Sequence, residues 1–136
     1  MAVFSFVDGS VSINAVDLSD HVAQVSINTS SDELDDTAMG DTYRSKLGGL
    51  KDWSVTVQFH QDFAGSEVDA TLFPLLGTVT AIIIKPTSGA ISATNPAYTG
   101  NVLVSDYKPL DGSVGDLAST SVTWPGSGSL TRDVTP

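Results

Sequence analysis

Hydrophobic and polar side chains alternate along much of this chain, which is the period of half-buried β-strands. The clearest case is the segment 53–60, which begins at Trp53 and places an apolar residue at every second position. A second case is the segment 23–28, where the apolar positions are Ala23, Val25 and Ile27. We predict a strand at each segment, with one face in a hydrophobic core.

Other short apolar segments predict further strands on both sides of these two. The dipeptide Asp8-Gly9, between apolar residues at 3–7 and 11–13, predicts an N-terminal hairpin. The run 79–84 is apolar on both faces, which predicts a central strand buried on both sides. Four more strands are predicted at Ala90–Ala93, Asn101–Tyr107, Leu117–Trp124 and Leu130–Val134. A spacing of about 10 to 12 residues is typical of a sandwich or barrel, so we predict a mainly β fold, a β-sandwich of antiparallel sheets.

One α-helix is predicted beside these strands, at residues 66–76. Ser66 begins a Ser-x-x-acid sequence, the form of a helix start, and the apolar residues that follow lie on one helical face. Pro74 removes a backbone donor, so the helix is expected to be short or kinked, and Gly77 ends it. Because no linker or internal repeat interrupts the sequence, we predict a single domain over residues 1–136.

The segment 29–49 differs from its surroundings, because it is acidic and has few apolar residues. We predict a long acidic loop here, and structureless loops of about 20 residues are uncommon in compact domains unless they are functional or disordered. One interpretation is a solvated, mobile loop. The interpretation that we favour is a loop that becomes ordered on a partner, burying Met39, Tyr43, Leu47 and Leu50.

Composition excludes several classes of function. The chain of 136 residues carries 16 acidic and 6 basic side chains, a formal charge of -10, which argues against direct binding to nucleic-acid phosphates. It contains no cysteine, which excludes a disulfide framework and thiolate chemistry. No apolar run reaches the roughly 18 residues of a membrane span, and the N-terminus lacks the basic region of a signal peptide. We therefore expect a soluble protein, made in the cytoplasm and not inserted in a membrane.

Candidate chemistry is sparse, and we predict no catalytic residues, no metal site and no cofactor. His21 and His60 lie in predicted strands, and neither has nearby ligands at metal-site spacing in the sequence. The acidic run 32–36 fails the EF-hand pattern, since Thr37 and Tyr43 occupy the positions of the required Gly and Glu. A looser cation site there stays open as an alternative. No nucleophile elbow, phosphate-binding loop or dinucleotide motif is present, so we predict that the chain is not an enzyme.

Several short motifs follow one another in a characteristic order along residues 17 to 132. They are Asp17–Val22, Asp36–Asp41, Leu47–Val55, Gln58–Phe63, Lys85–Pro86 and Asn95–Gly100. Each motif is short, so specificity comes from their order and from the overall length of the chain. In this order the chain resembles the tail tube (major tail) proteins of long-tailed, siphovirus-type bacteriophages.

This resemblance implies a β-sandwich with one flanking helix that assembles into hexameric rings, stacked around a DNA-conducting lumen. Expected partners are other copies of the chain and the tape-measure, tail-tip and tail terminator proteins, within a virion assembled in the cytoplasm of a host bacterium. DNA would pass through the lumen without specific binding, and like charge on the wall would keep it from sticking. The long loop would contact a neighbouring subunit or ring through Asp32, Asp35, Asp36, Met39, Asp41, Tyr43, Arg44 and Lys46.

Other functions remain open from the sequence. A ring-forming tail terminator or neck protein would make single rings instead of tubes, and a tube protein of a secretion system would have a similar fold. A monomeric β-sandwich module that binds a sugar or a cation belongs to a different class. The acidic loop and Trp124 are the features that we would assign to that module.

Overall fold

A computed structural model describes residues 8–135 and contains eight strands and a short α-helix. The strands are β1 (Ser10–Ile13), β2 (Val16–Asp17), β3 (Val22–Asp35), β4 (Lys46–His60), β5 (Val79–Lys85), β6 (Ala97–Leu103), β7 (Ser119–Pro125) and β8 (Thr131–Asp133). The helix α1 spans Val68–Leu72, and 3-10 turns lie at Ser19–His21 and Phe73–Leu75. No helix in the part of the chain that the structure describes is long and apolar enough to cross a membrane.

The strands form two antiparallel sheets, as the sequence predicts. One sheet has five strands in the order β2-β1-β5-β6-β8, and the other has three in the order β3-β4-β7. Asn14 and Ala15 make the tight turn between β1 and β2 with φ angles of 51° and 65°, the left-handed values that such hairpin turns require. The two sheets are the layers that hold the hydrophobic core.

The core lies between the two sheets. The five-stranded sheet contributes Val11, Ile13, Ile82, Ile84 and Val102, and the three-stranded sheet contributes Val55, Val57, Phe59, Val122 and Trp124. Val68 and Leu72 of α1 belong to the same cluster, so the helix covers one side of the sandwich. Alternation along β4 places every second residue from Trp53 to Phe59 in this core, which confirms the prediction for that segment.

Polar contacts complete the attachment of the helix to the sheets. The Tyr107 hydroxyl donates to Asp69 Oδ1 on α1 at 2.7 Å and accepts from Gln61 Nε2 at 3.1 Å. Burial of the ring and the contact with Asp69 raise the pKa of Tyr107 to about 12. The Trp124 indole N–H donates to the carbonyl of Asp106 at 2.8 Å, so both large polar aromatics have their hydrogen-bond partners.

The prediction of a structureless loop at 29–49 is wrong. β3 continues to Asp35 and β4 begins at Lys46, so the residues between them form a turn and the rest of the segment belongs to two paired strands. No core covers this part of the strands, and its side chains have no buried face to specify. A strand without a buried face has no apolar alternation, which is why the sequence pattern failed here.

The prediction that 79–84 is buried on both faces is also wrong, although the strand is central. β5 pairs with β1 on one side and β6 on the other. Thr80, Ile82 and Ile84 face the core, whereas Val79 and Ile83 are 53% and 38% exposed on the outer face. The extra apolar residues therefore line an uncovered sheet face instead of a second core.

Smaller differences concern the ends of elements. Ala90–Ala93 is not a strand, because only an isolated bridge between Ser92 and Asn95 forms there. The helix is shorter than 66–76, with α1 giving way to a 3-10 turn that contains Pro74. The N-terminal partner of the predicted hairpin, at 3–7, lies outside the described residues, while its second strand is β1.

Trp53 is the residue at which β4 enters the core, and its indole packs against two glycines that have no side chain to collide with it. A Cβ atom on Gly126 would lie 2.2 Å from Trp53 Cε2, and one on Gly100 would lie 2.6 Å from Cζ2. The indole N–H donates to the carbonyl of Gly128 at 2.9 Å, which fixes the ring against the segment after β7. No side chain fits at either glycine without displacing the ring.

We predict that Gly126→Ala lowers the free energy of unfolding by about 1–3 kcal/mol, because the new methyl group overlaps the Trp53 ring. Urea unfolding followed by tryptophan fluorescence measures the change. Gly112→Ala is the matched control, since a Cβ atom there meets no atom within 4 Å. A Gly126→Ala protein as stable as the control would contradict the packing described for Trp53.

Candidate functional site

The most exposed part of the molecule is the hairpin formed by the outer halves of β3 and β4. We call residues 30–51 the hairpin arm. Ser31 pairs with Lys51 at its base and Asp35 pairs with Lys46 at its end, with a register irregularity between Ser31 and Glu33. Every residue of the arm is exposed except Gly49, which is partly buried. The arm therefore projects from the sandwich as a two-stranded ribbon.

The turn at the end of the arm is held by its own polar groups. The Asp36 N–H donates to the Ser45 carbonyl at 3.0 Å, and the Ser45 N–H donates to Thr37 Oγ1 at 2.8 Å. Asp41 Oδ2 accepts from the Ala38 N–H at 2.9 Å. These hydrogen bonds hold the turn together, while its apolar side chains Met39 and Tyr43 face solvent.

Two ion pairs cross the arm. Asp35 Oδ2 lies 3.3 Å from Arg44 Nη1, and Glu33 Oε2 lies 3.5 Å from Lys46 Nζ. Hydrogen bonds from Thr37, with a further one from Arg44, lower the pKa of Asp35. Because exposed ion pairs contribute little to stability, these two orient the arm more than they stabilise it.

All eight residues that the sequence assigns to the site lie on the hairpin arm. Asp32 and Asp35 are on β3, Lys46 begins β4, and the other five are in the turn. The turn residues are Asp36, Met39, Asp41, Tyr43 and Arg44. Their carboxylates do not converge on one point, since the ion pairs hold some of them apart along the ribbon. The arrangement offers a surface for contact and no cation site.

The arm also carries five large apolar side chains that nothing in the described structure covers. Met39 is fully exposed, and Tyr43 and Leu50 are 87% and 82% exposed. Leu34 and Leu47 are half exposed and pair directly across the two strands. The sequence singled out four of these residues and missed Leu34, which lies seven positions after Ile27 and is therefore out of phase with the alternation of that strand. Contiguous exposed apolar groups mark a binding surface.

The three-stranded sheet has two open edges. β3 and β7 each pair only with β4 among the described strands, so one backbone edge of each remains unpaired. The edge of β3 runs for 14 residues, and no proline interrupts it. Long uncovered edges readily pair with another strand, and natural proteins usually shorten, charge or cover them. The sequence could not have shown which strands lie at the edges, because strand order depends on tertiary contacts.

The outer face of this three-stranded sheet is polar and uncharged over the body of the sandwich. The register places these residues opposite the core face on all three strands. His60 lies at one end of the face, and Asp52 lies at the other end, where the arm begins. The polar residues of the face are Gln24, Ser26, Asn28, Ser54, Thr56, Gln58, Ser119, Ser121 and Thr123, and Pro125 lies beside Ser54.

A cleft of about 730 Å³ opens where the arm leaves the sandwich. Ser30, Ser31 and Lys51 line its arm side, and Gly128 and Leu130 line the opposite side. Trp53 forms part of its floor. The base of the arm therefore has a concave surface, at the opposite end of the arm from the turn.

Several solved structures share this fold, including two from gene transfer agent particles. No protein-family model matches the chain, and no curated protein matches it either. A chain in the virion of a native gene transfer agent particle has a TM-score of 0.77 and 16% sequence identity, over 96% of this chain and 98% of that one. A chain in the tail of an empty gene transfer agent particle, determined with helical refinement and C6 symmetry, has a TM-score of 0.66 and 16% identity, over 82% and 81%. At such identities the similarity establishes a common fold with components of these particles.

Proposed function

We propose that this protein is a structural, non-enzymatic subunit of a phage-type tail, and that six copies form rings that stack into a tube around a DNA-conducting lumen. The observation that carries the proposal is the three-stranded sheet with two open edges on a fold shared with a chain of a C6-symmetric tail. No described strand covers the 14-residue edge of β3, and such an edge is an aggregation hazard for a monomer. A ring uses both edges of every subunit.

Ring closure follows from pairing the β3 edge of one subunit with the β7 edge of the next. This contact is head-to-tail, so it generates a closed ring when the rotation between neighbours divides a full turn. Six three-stranded sheets joined in this way make one barrel. Closed barrels of about 16–18 strands leave an aqueous channel, which suits a conduit.

The bulk of each subunit decides which face of the barrel points inward. The five-stranded sheet and α1 lie on the core side of the three-stranded sheet. Strands about 4.8 Å apart and tilted by about 40° give an 18-stranded barrel roughly 35 Å across, too small to enclose six such sheets. The five-stranded sheets must then lie outside, and the uncharged outer face of the three-stranded sheet lines the channel.

The channel wall would then carry hydroxyl and amide groups rather than carboxylates. This differs from the sequence-based expectation that like charge on the wall repels the passing DNA. An uncharged wall without Lys or Arg makes no ionic contacts with phosphates, so a polyanion can slide without being held. The acidic side chains of the arm would lie at the junctions between rings.

The hairpin arm is the contact between stacked rings in this proposal. It projects along the strand direction of the barrel, beyond the end of the sandwich, and its apolar side chains have no cover in the single subunit. Burying them on the next ring removes that exposed surface from water and stabilises the stack. We further propose tape-measure, tail-tip and tail terminator proteins as partners, and the virion as the location.

We predict that Met39→Ser combined with Tyr43→Ser prevents tube formation and leaves the subunit folded. Both side chains are almost fully exposed, so their loss costs little folding free energy, within about 0.5 kcal/mol. Sedimentation velocity of concentrated protein measures assembly, and thermal unfolding measures the subunit.

The matched control for this double variant is Phe73→Ser, which removes an apolar side chain that is 60% exposed on the 3-10 turn after α1. It should assemble like the unmodified protein. Assembly of the Met39/Tyr43 variant at the normal concentration would remove the arm from the stacking contact. If this variant forms single rings instead of tubes, the result would support both the stacking role of the arm and the proposed ring.

A second prediction tests which face lines the lumen. Thr56→Lys places one added positive charge per subunit on the uncharged face, six around each ring, and tubes of this variant should retain duplex DNA in a salt-dependent manner. Thr99→Lys is the matched control, because Thr99 lies on the outward face of the five-stranded sheet. Co-purification of a labelled duplex with tubes is the measurement. Stronger retention by the Thr99 variant, after nuclease digestion of DNA outside the tube, would reverse the proposed orientation.

A further inference from the structure

One imidazole outside the hairpin arm is surrounded by three carboxylates. His21 ends the 3-10 turn before β3, and its Nδ1 atom lies 2.8 Å from Asp20 Oδ1 and 3.3 Å from Glu67 Oε2. Its Nε2 atom lies 2.8 Å from Asp62 Oδ2. The sequence did not reveal this cluster, since Asp62 and Glu67 come from the segment between β4 and α1, more than 40 positions further along. His21 lies in a 3-10 turn, so the prediction that it lies in a strand is wrong.

The spacing of the ligand atoms matches a coordination shell. One atom each from Asp20, His21 and Glu67 lie within 4.8 Å of one another. Around an ion with bond lengths of about 2.1 Å, neighbouring ligand atoms lie about 3.0 Å apart in an octahedron and about 3.4 Å apart in a tetrahedron. The two distances from Nδ1, 2.8 Å to Asp20 and 3.3 Å to Glu67, lie within about 0.2 Å of these spacings.

Charge balance also points to a cation. The His21 side chain is 17% exposed, and Asp62 and Glu67 are each about one-third exposed. In the described part of the chain, no Lys or Arg forms an ion pair with any of the three carboxylates. Even a protonated imidazole leaves an excess of negative charge in this partly buried place, and a divalent ion neutralises it better.

We propose that Asp20, His21 and Glu67 form a binding site for a divalent transition-metal ion, with Nδ1 and two carboxylate oxygens as ligands. Asp62 is the orienting residue, because its carboxylate accepts from the Nε2–H and so leaves Nδ1 free to bind the ion. The nitrogen ligand favours ions such as Zn²⁺ over Mg²⁺ and Ca²⁺, which prefer all-oxygen sites. Three protein ligands leave the remaining positions to water.

A bound ion would connect two segments that the chain brings together at one end of the three-stranded sheet. Val22 pairs with Phe59, so the start of β3 and the end of β4 lie at the end opposite to the hairpin arm. The ion would fix the segment 61–67 and the start of α1 against the start of β3. This site is independent of the proposed assembly and is testable on the subunit alone.

The test is isothermal titration calorimetry of the full chain with Zn²⁺, after dialysis against EDTA. We expect one ion per chain, and weaker binding of Mg²⁺ and Ca²⁺ by at least tenfold. Glu67→Gln and Asp20→Asn should each weaken Zn²⁺ binding at least tenfold, and Asp62→Asn by about tenfold through the imidazole. Asp20 is 79% exposed, so its variant tests the site without endangering the fold.

His60→Asn is the control, since it removes the other imidazole of the chain and should leave Zn²⁺ binding unchanged. Thermal unfolding with and without Zn²⁺ provides a second readout, with a higher midpoint expected only when the site is intact. The absence of saturable binding would overturn the proposal. Zn²⁺ binding that survives both Asp20→Asn and Glu67→Gln would overturn it as well.

Discussion

The rest of the structure depends on the backbone hydrogen bonds that the three-stranded sheet leaves unpaired. β4 is fully paired along the body of the sandwich, and within residues 8–135 its two neighbours, β3 and β7, each expose one edge. An exposed edge must be tolerated or used, because unpaired N–H and C=O groups are a template for another strand. The length of β3 and the uncharged face of its sheet are easiest to explain if other copies of the chain complete the sheet.

Packing at Trp53 links this sheet to the arm. The indole is buried at the core position of β4 that lies nearest the arm, and it packs against two glycines. From this position towards the turn, both β3 and β4 extend away from the core. Close packing at Trp53 fixes the direction in which the hairpin arm leaves the sandwich. A contact surface carried on such a ribbon is presented in one orientation, which reduces the entropy lost when the surface binds.

The sequence predicted the sandwich, because strands with one buried face reveal themselves by alternation. β4 from Trp53 to Phe59 is the clearest example. It failed where that physical cause is absent, as in the outer half of β3, where both faces meet solvent. For the run 79–84 the sequence predicted too much burial, since an exposed apolar sheet face looks the same in sequence as a buried one. The eight residues predicted to form the inter-subunit contact all lie on the hairpin arm, and their role stays a prediction. The open edges and the His21 cluster arise from tertiary contacts that no local pattern encodes.

Electron cryo-microscopy of the concentrated protein tests the central claim most directly. The account predicts hollow rings or tubes with six subunits per turn, in which the β3 edge of one subunit pairs with the β7 edge of the next and the three-stranded sheets line the channel. Adding a tail-tip initiator complex would separate slow nucleation from an inability to assemble. A protein that stays monomeric with the initiator present, or a tube lined by the five-stranded sheets, would contradict the account.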